Sequence, residues 1–513
     1  MKTRASLLRL LTALLLSALL APAAASQEKE WEKIPTAPLK AFEPQQPKRI
    51  VLPNGMVIFL QEDHELPLVN GWFFVRGGGR EVPAGKTGLA SIYGQAWRTG
   101  GTKSKTGDQI DEFLEARGAI VESSADEDSS TVFFSSLKEN LDEVFPLALD
   151  ILQNPEFRED KITLAKTQEN TAISRRNDSF TAIAAREAFR LAYGSDNPYA
   201  RQSEYATVAA VTRDDLVNWH TAYVQASNII VAVLGDFDSA AMEARLRKTF
   251  ASWPRKPAHK PAVVEFKSPK PGVYFIPKDD INQSAIRMVD LGVRRDNPDY
   301  FAVLAMNEVM GGGFGTRLVT NIRSKKGLAY TVGGGVGSGW DHPGVLQFQM
   351  TTKSGTTGES INALYEEIDG IVGPKPATEA EVQKARETIL NSFVFNFDTR
   401  QEVLLEQVGY EFYGYPPDFL KRYQEAIRKV TAGDVNRVAR KYLHKEKLAV
   451  LVVGKAVDFD KPLSSFGPVT TVDITIPEPA MSGGEAKSGP GATPAASTAE
   501  GKALLAKVIE GLG

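Results

Sequence analysis

The sequence predicts an α+β protein with two similar domains, and an internal repeat is the main reason. The segment from Val211 to Leu216 matches the segment from Val430 to Val435, which lies 219 residues further on. At the same spacing, the apolar run Ile229 to Leu234 matches Leu448 to Val453, and each run is followed by a glycine. A gapless match of this kind indicates that each half ends in the same way, with a helix, a tyrosine and a strand.

Shifts in composition place the boundaries of the two domains. Residues 251–270 are rich in Pro and Lys and are typical of a linker, so we expect domains at 46–250 and 271–460. Residues 26–45 contain three prolines and are expected to form a flexible lead-in. Residues 461–513 are expected to form a Gly-, Pro- and Ala-rich tail that ends in a short amphipathic helix.

Residues 1–25 have the pattern of a cleavable signal peptide. Three basic residues precede the apolar run Leu10 to Leu20, and small residues up to Ala25 offer a cleavage site. The apolar run is short for a membrane span, which needs about 20 residues. We therefore expect cleavage near Ala25 and a periplasmic or exported protein with no membrane span after cleavage. An uncleaved anchor is the alternative.

The overall composition argues against several classes of function. The net charge of −3 provides no basic field for nucleic acid or an anionic membrane. The chain has no cysteine, so disulfides, cysteine metal sites and a thiol nucleophile are ruled out. The apolar content of 42% is ordinary for a globular protein with a substantial core.

Strand-like and helix-like segments alternate through the first domain. Two apolar runs flank Pro53-Asn54-Gly55, a turn signal that predicts a hairpin, and Thr106 with Gln109 forms a capping box that predicts a helix start. Glycine runs at 77–79, 311–313 and 333–335 lack the context of a phosphate-binding loop and are expected to be turns. The predicted strands are 49–52, 56–61, 68–75, 119–125, 130–136 and 228–234; the predicted helices are 85–97, 107–116, 137–152 and 159–176, with two shorter helices before the last strand.

Several separated motifs along residues 45–460 form a recognisable set. They are the Pro53-Asn54-Gly55 hairpin, Gly88-Leu89-Ala90 at a helix start, the glycine run at 311–313 and Gly327-Leu328-Ala329-Tyr330. Together with the duplicated domain ending, this set resembles the pitrilysin/insulinase family of zinc peptidases, in its mitochondrial-processing-peptidase-like branch. The resemblance implies two homologous α/β-sandwich domains, each a mixed sheet with helices on one side.

The zinc motif of that family is replaced in this chain. The family motif H-x-x-E-H supplies two zinc ligands and a general base, and the matching positions here hold Ser91, Gly94 and Gln95. The family's third ligand, a Glu after 76 further residues, falls on Ala172. Glu169 lies one helical turn earlier and can face a similar direction, but a lone carboxylate does not hold catalytic zinc. The resemblance therefore implies that this chain binds no zinc and does not cut peptides alone.

The spacing of the histidines supplies no substitute metal motif, which leaves only a site assembled from distant residues as the alternative. No two of the five histidines are spaced for metal binding on one helix face; they are His64, His220, His259, His342 and His444.

Gly94 within a helix costs about 1 kcal/mol relative to Ala, which indicates either close packing or an open groove at that point.

In the second domain, the resemblance assigns a substrate-binding role to Arg323 and Tyr330. In the family, an Arg and a Tyr in this motif hydrogen-bond the peptide backbone near the bond that is cut. Fixed N–H and O–H donors stabilise the oxyanion that develops on the peptide carbonyl. The structural alternatives are a solvated cation at a helix end and a half-buried strand aromatic. We expect Lys325 and Lys326 to be ordinary surface charges.

Some family members are heterodimers in which one chain carries the zinc motif and the other supplies the Arg/Tyr pair. The resemblance therefore predicts the non-zinc-binding subunit of a periplasmic heterodimeric zinc peptidase. An H-x-x-E-H homologue is the expected partner, with zinc on that partner and peptides as substrates. One alternative is a catalytically inert scaffold or peptide-binding module. Another is an independent enzyme with a new site, for which Ser91 is a nucleophile without an identifiable base.

Overall fold

The computed structural model describes residues 44–479; the expected signal peptide, most of the lead-in and the terminal helix lie outside the described residues. The strands are β1 Lys48–Val51, β2 Val57–Glu62, β3 Leu68–Arg76, β4 Ile120–Ala125, β5 Ser129–Leu137, β6 Ile229–Gly235, β7 Gly272–Pro277, β8 Gln283–Leu291, β9 Val293–Arg294, β10 Thr331–Gly339, β11 Pro343–Lys353, β12 Ala449–Gly454 and β13 Val469–Thr471. The α-helices are α1 Leu89–Thr99, α2 Gly107–Glu115, α3 Leu141–Gln153, α4 Glu159–Arg175, α5 Phe180–Tyr193, α6 Tyr205–Ala209, α7 Arg213–Tyr223, α8 Ser239–Phe250, α9 Tyr300–Met310, α10 Thr357–Val372, α11 Glu379–Phe395, α12 Arg400–Tyr413, α13 Phe419–Lys429 and α14 Ala432–Tyr442. Among the helices of residues 44–479, none is long and apolar enough to cross a membrane.

The predicted elements of the first half are present, with two differences. The helix expected from residue 85 begins at Leu89, because Gly88 adopts a left-handed φ of 107° that breaks the helix before it. Three helices, not two, lie between α4 and β6. They are α5, which has 14 residues, α6 and α7. The Thr106 capping box is formed as expected, with hydrogen bonds in both directions to Gln109.

The first half folds around a six-stranded mixed sheet in the order β1-β2-β6-β3-β5-β4. Its central strands are apolar on both faces, which is the pattern of strands covered on both sides. Alternate residues of β3, such as Phe73 and Val75, join a core with α1, α3 and α8. Trp72 and Phe74 point to the opposite face.

The second half repeats this topology, as the internal repeat predicts. Its seven-stranded sheet has the order β13-β7-β12-β8-β11-β10-β9, so β7, β12, β8, β11 and β10 take the places of β2, β6, β3, β5 and β4. The protein is therefore α+β with two domains built on mixed sheets. The edge strand β13 follows residue 460, so the second sheet extends into the segment expected to be a tail.

Each sheet is covered on its second face by one helix from the other half. Leu404, Val408 and Phe412 form an i, i+4, i+8 stripe on α12, and this stripe packs on the first sheet against Trp72. In the same way, small residues of α5, including Ala184 and Ala188, pack on the second sheet. The two halves thus share their cores.

A buried ionic cluster also joins the halves. The Arg80 side chain is only 6% exposed, and its Nη1 donates to Asp341 Oδ2 at 2.6 Å and to the Tyr199 hydroxyl at 2.8 Å. Asp128 Oδ1 lies 3.2 Å from the same nitrogen, and Asp128 Oδ2 accepts from the Tyr413 hydroxyl at 2.7 Å. Burial, followed by the nearby Asp128 carboxylate, raises the pKa of both tyrosines, so they remain donors. The Arg80 guanidinium therefore pairs with a carboxylate of each half, Asp128 in the first and Asp341 in the second.

The glycine run Gly333–Gly335 lies within β10, so the turn expected there is wrong. A Cβ at Gly334 would stand 2.1 Å from the carbonyl oxygen of Gln347 on the neighbouring strand. A Cβ at Gly311 would stand 2.6 Å from the Gly334 oxygen. The glycines are needed because the end of α9 and strand β11 both approach β10 closely.

Candidate functional site

Helix α1, which carries the replaced motif, packs against strand β4 and helix α4. Ile92, Tyr93 and Trp97 are fully buried on its core side. Ser91 and Gln95, spaced by one helical turn, lie on a half-buried side.

Gly94 is in tight contact with the backbone of β4. A Cβ at Gly94 would lie 2.5 Å from the Ala125 nitrogen and 2.8 Å from the carbonyl carbon of Ser124. The Ser123 hydroxyl donates to the Gly94 carbonyl oxygen at 2.6 Å and fixes this approach. Of the two explanations for this glycine, close packing is therefore the one found. The position of the family's general base has no space for a side chain unless α1 and β4 move apart.

The positions of the family's zinc ligands hold a hydrogen-bonded cluster. The Ser91 hydroxyl donates to Glu169 Oε1, and Gln95 Nε2 donates to the Ser91 oxygen at 3.2 Å. Glu169 thus faces the motif from α4, in the direction that its spacing allows. Ala172, the counted third position, is exposed and contributes no donor atom.

This cluster does not fit a zinc ion. Protein zinc sites use thiolate, imidazole and carboxylate ligands, usually three or four of them, and the cluster offers one carboxylate, Glu169. Across residues 44–479, no group of three or more histidine and acidic side chains is placed to hold a metal ion. No catalytic step is therefore assigned to a metal on this chain.

Arg323 and Tyr330, the second pair of candidate residues, are in contact with each other. Arg323 lies on the π-helical segment Val319–Lys325, and its Cζ is 5.0 Å from the centre of the Tyr330 ring. Gly327 turns the chain between them with a φ of 65°. Tyr330 is 84% exposed, so it is not the half-buried strand aromatic of the structural alternative.

The polar groups of this pair have no polar partner in the part of the chain that the structure describes. Among residues 44–479, the Arg323 guanidinium has no hydrogen-bond or ion-pair partner, and the Tyr330 hydroxyl has none either. Lys326, by contrast, pairs with Glu366 at 2.6 Å, as expected of a surface charge. The pair thus presents N–H and O–H donors at one surface position. No hydrogen bond, ion pair or ring contact in the described residues joins this pair to the Ser91 cluster.

A third residue at this position, Phe314, was not singled out from the sequence. Its ring centre lies 5.5 Å from Arg323 Cζ, and the side chain is 83% exposed. A phenylalanine between two glycines, directly after the run 311–313 that was expected to be a turn, was the available signal.

Comparison with known proteins defines the class. The family description "Insulinase (Peptidase family M16)" matches residues 57–194, and "Peptidase M16 inactive domain" matches residues 210–389. The two matches together cover more than half of the chain, and the chain belongs to the M16 (insulinase) peptidase family.

Individual relatives include proteins described as peptidases and as non-peptidases. The non-peptidase homolog YmxG of Helicobacter pylori is 23% identical over 403 residues, which are 77% of this chain and 91% of that protein. The probable mitochondrial-processing peptidase subunit beta of Arabidopsis thaliana is 21% identical over 383 residues, 70% of this chain and 69% of that protein. A crystal structure of a peptidase M16 inactive domain from Pseudomonas fluorescens has a TM-score of 0.71 and 23% identity, and covers 82% of this chain and 100% of that one. This structural similarity supports the fold.

Proposed function

We propose that this chain is the substrate-binding subunit of a zinc peptidase formed by two homologous chains. The main observation that supports this proposal is the contrast between the two candidate sites of the chain. The side chains at the metal position hydrogen-bond to one another, whereas Arg323 and Tyr330 lie together and their donors have no partner among residues 44–479. One relative is described as a non-peptidase homolog and another as a subunit of a processing peptidase, which supports such a division of roles.

In the proposed complex, the two donors of this chain act on the peptide carbonyl. The guanidinium of Arg323 and the hydroxyl of Tyr330 donate to the oxygen as it gains negative charge, and so stabilise the transition state. The partner would hold zinc through its H-x-x-E-H motif, and the metal would supply an activated water as the nucleophile for the carbonyl carbon. The extended peptide adds as a strand to a sheet edge; β4, which is last in its sheet and beside α1, is an edge of the required kind in this fold.

The proposed location is the periplasm or the cell exterior, after cleavage near Ala25. The basic, apolar and small-residue order of the first 25 residues supports it. N-terminal sequencing of the mature protein from a periplasmic extract is the test, and a mature chain that retains Met1 would contradict it.

The central test is hydrolysis of a quenched-fluorescence peptide library by three samples. They are this chain, the H-x-x-E-H homologue from the same cell, and their mixture, each with zinc. We expect activity in the mixture only. Arg323→Ala should lower kcat/KM of the mixture about 100-fold, the usual effect of removing an oxyanion donor, and Tyr330→Phe should act in the same direction. Lys326→Ala is the matched control, since it removes a neighbouring cation that is already paired.

An inert scaffold or peptide-binding module is the second candidate. The closed packing at Gly94 favours this second candidate, because it leaves no space for a general base at the family's position on this chain. It predicts that the homologue cuts equally well alone and that Arg323→Ala leaves the activity of the mixture unchanged.

A further inference from the structure

Two cavities of the first half adjoin each other, because Lys256 lines both of them. The first has a volume of about 380 Å³ and lies where helices α3, α7 and α8 end, beside Gln153 and Thr221. The second has a volume of about 460 Å³ and lies beside Ser227 and Arg255. Both volumes are typical of sites for small molecules. Neither cavity is lined by a residue of the Ser91 cluster or of the Arg/Tyr pair, so they are separate from both candidate sites.

The first cavity is lined by hydrogen-bonding groups, and none of its lining residues is acidic. The side-chain amides of Gln153 and Gln225 have no hydrogen-bond partner in the described part of the chain. Thr221 and Ser252 add hydroxyls, and the half-buried Trp253 adds an indole ring. Amides, hydroxyls and one aromatic ring suit a ligand that combines several hydroxyl groups with an apolar ring face.

The electrostatics of the first cavity favour an uncharged group. Burial lowers the pKa of His220 to about 4, against a backbone hydrogen bond with Gln153, so the imidazole is neutral at pH 7. The carboxyl ends of three helices lie at this cavity, and each carries a partial negative charge. A negatively charged part of a ligand is therefore favoured only beyond Lys256, in the second cavity.

The second cavity is lined by two cations and by no acidic residue. The Arg255 guanidinium and the Lys256 ammonium group have no hydrogen-bond or ion-pair partner among residues 44–479. The backbone that carries them is held by side chains of the first domain. Asn54 Nδ2 donates to the Trp253 carbonyl oxygen at 3.4 Å, and the Ser227 hydroxyl donates to the Lys256 carbonyl oxygen. Unpaired cations on an anchored segment favour binding of an anion, because the backbone is ordered beforehand.

We propose that the two cavities form one binding site for an acidic saccharide, that is, a sugar that carries a carboxylate. The sugar ring lies in the first cavity, with its apolar face on the Trp253 indole and its hydroxyls hydrogen-bonded to the amides of Gln153 and Gln225. The carboxylate lies in the second cavity and accepts charge-assisted hydrogen bonds from Arg255 and Lys256. The site shares no residue with the proposed peptide site, so this inference does not depend on the proposed function.

The test is isothermal titration calorimetry of the full chain with two sugars, N-acetylmuramic acid and N-acetylglucosamine, which differ by one carboxylate-bearing lactyl group. We expect the acidic sugar to bind about tenfold more tightly, the usual effect of a hydrogen bond to a charged group. Arg255→Gln combined with Lys256→Gln should raise Kd for the acidic sugar about tenfold and leave Kd for the neutral sugar within about twofold. Lys248→Gln is the matched control, since Lys248 is an exposed cation on α8 that lines neither cavity and has no ion-pair partner in the described residues.

Gln225→Ala tests the sugar part of the site. It removes an amide from the first cavity and leaves both cations in place, so Kd should rise about fivefold for both sugars. The preference for the acidic sugar should be unchanged. Circular dichroism checks that the variants are folded.

Three results would overturn the inference or part of it. If neither sugar binds at millimolar concentration, there is no saccharide site. If acetate or inorganic phosphate binds as tightly as the acidic sugar, the two cations form a simple anion site and the sugar part is refuted. If Lys248→Gln weakens binding as much as the double variant does, the attraction is general and the carboxylate does not lie in the second cavity.

Discussion

Gly94→Ala is the substitution for which the structure and general helix propensity predict opposite results. Inside a helix, Gly→Ala normally stabilises by about 1 kcal/mol. Here the added Cβ would approach two backbone atoms of β4 at 2.5 and 2.8 Å, where ordinary contact begins near 3.4 Å. Overpacking of this kind costs about 1–3 kcal/mol, and the upper part of that range applies because backbone atoms cannot rotate away. We expect a net destabilisation of about 1–2 kcal/mol.

The assay is urea unfolding followed by tryptophan fluorescence, with Gly409→Ala as the matched control. Gly409 is also inside a helix, α12, but a Cβ there would meet only ring carbons of Trp340, at 3.7 and 3.8 Å. We expect this control to stabilise the protein by up to about 1 kcal/mol. Gly94→Glu, which restores the family's base residue, should destabilise at least as much as Gly94→Ala. If Gly94→Ala stabilises the protein as much as Gly409→Ala does, the backbone of β4 does not close the space at Gly94, and this explanation is refuted.

Three further predictions concern the ionic cluster and the former metal position. Arg80→Ala should destabilise by about 3 kcal/mol in the same urea assay, because it leaves the partly buried carboxylates of Asp128 and Asp341 without their cation. A loss below about 1 kcal/mol would contradict this. Burial opposes ionisation of Asp341, but hydrogen bonds from His342 and Arg80 outweigh it and lower its pKa to about 2. A carboxylate with a lowered pKa stabilises the folded state above about pH 4, and this stabilisation is lost as the pH falls towards 2. For Asp341 it amounts to about 1–2 kcal/mol after allowance for partial exposure. Asp341→Asn should remove this part of the acid dependence of the free energy of unfolding. Ser91→His combined with Gln95→His should create a zinc site with Glu169, seen as a zinc-dependent rise in Tm without peptidase activity; an unchanged Tm would show that the three side chains do not converge as described.

Local sequence signals predicted most of the first half because the physical causes are local. The turn at Pro53-Asn54-Gly55 and the capping box at Thr106 act over a few residues, and the strands next to them end within one residue of their predicted limits. The repeat correctly predicted a second, similar α+β domain, and the structure shows that its sheet has the same strand order. The glycines at 333–335 were misread as a turn because their need for small size comes from β11 and the end of α9, which are close in space.

For the candidate site, the residues themselves could be identified from the sequence, but not their positions relative to one another. The replacement of the ligands and base at Ser91, Gly94 and Gln95 is visible from the motif frame alone. Only the structure shows that Glu169 turns towards Ser91 and that Gly94 is closed by β4. The flanking glycines of Phe314 indicate a turn but no contact, and its position over Arg323 appears only in the structure.

The sequence by itself determined the class of fold, its duplication and the loss of the zinc motif, since these follow from periodicity, repetition and residue type. Only the tertiary structure decided which helix covers which sheet. The apolar stripes of α5 and α12 require a partner surface but do not specify it, and each packs on the sheet of the other half. The same holds for Arg80, whose partners come from both halves. Burial is a requirement that many surfaces can meet, so the choice among them depends on contacts between residues far apart in the chain.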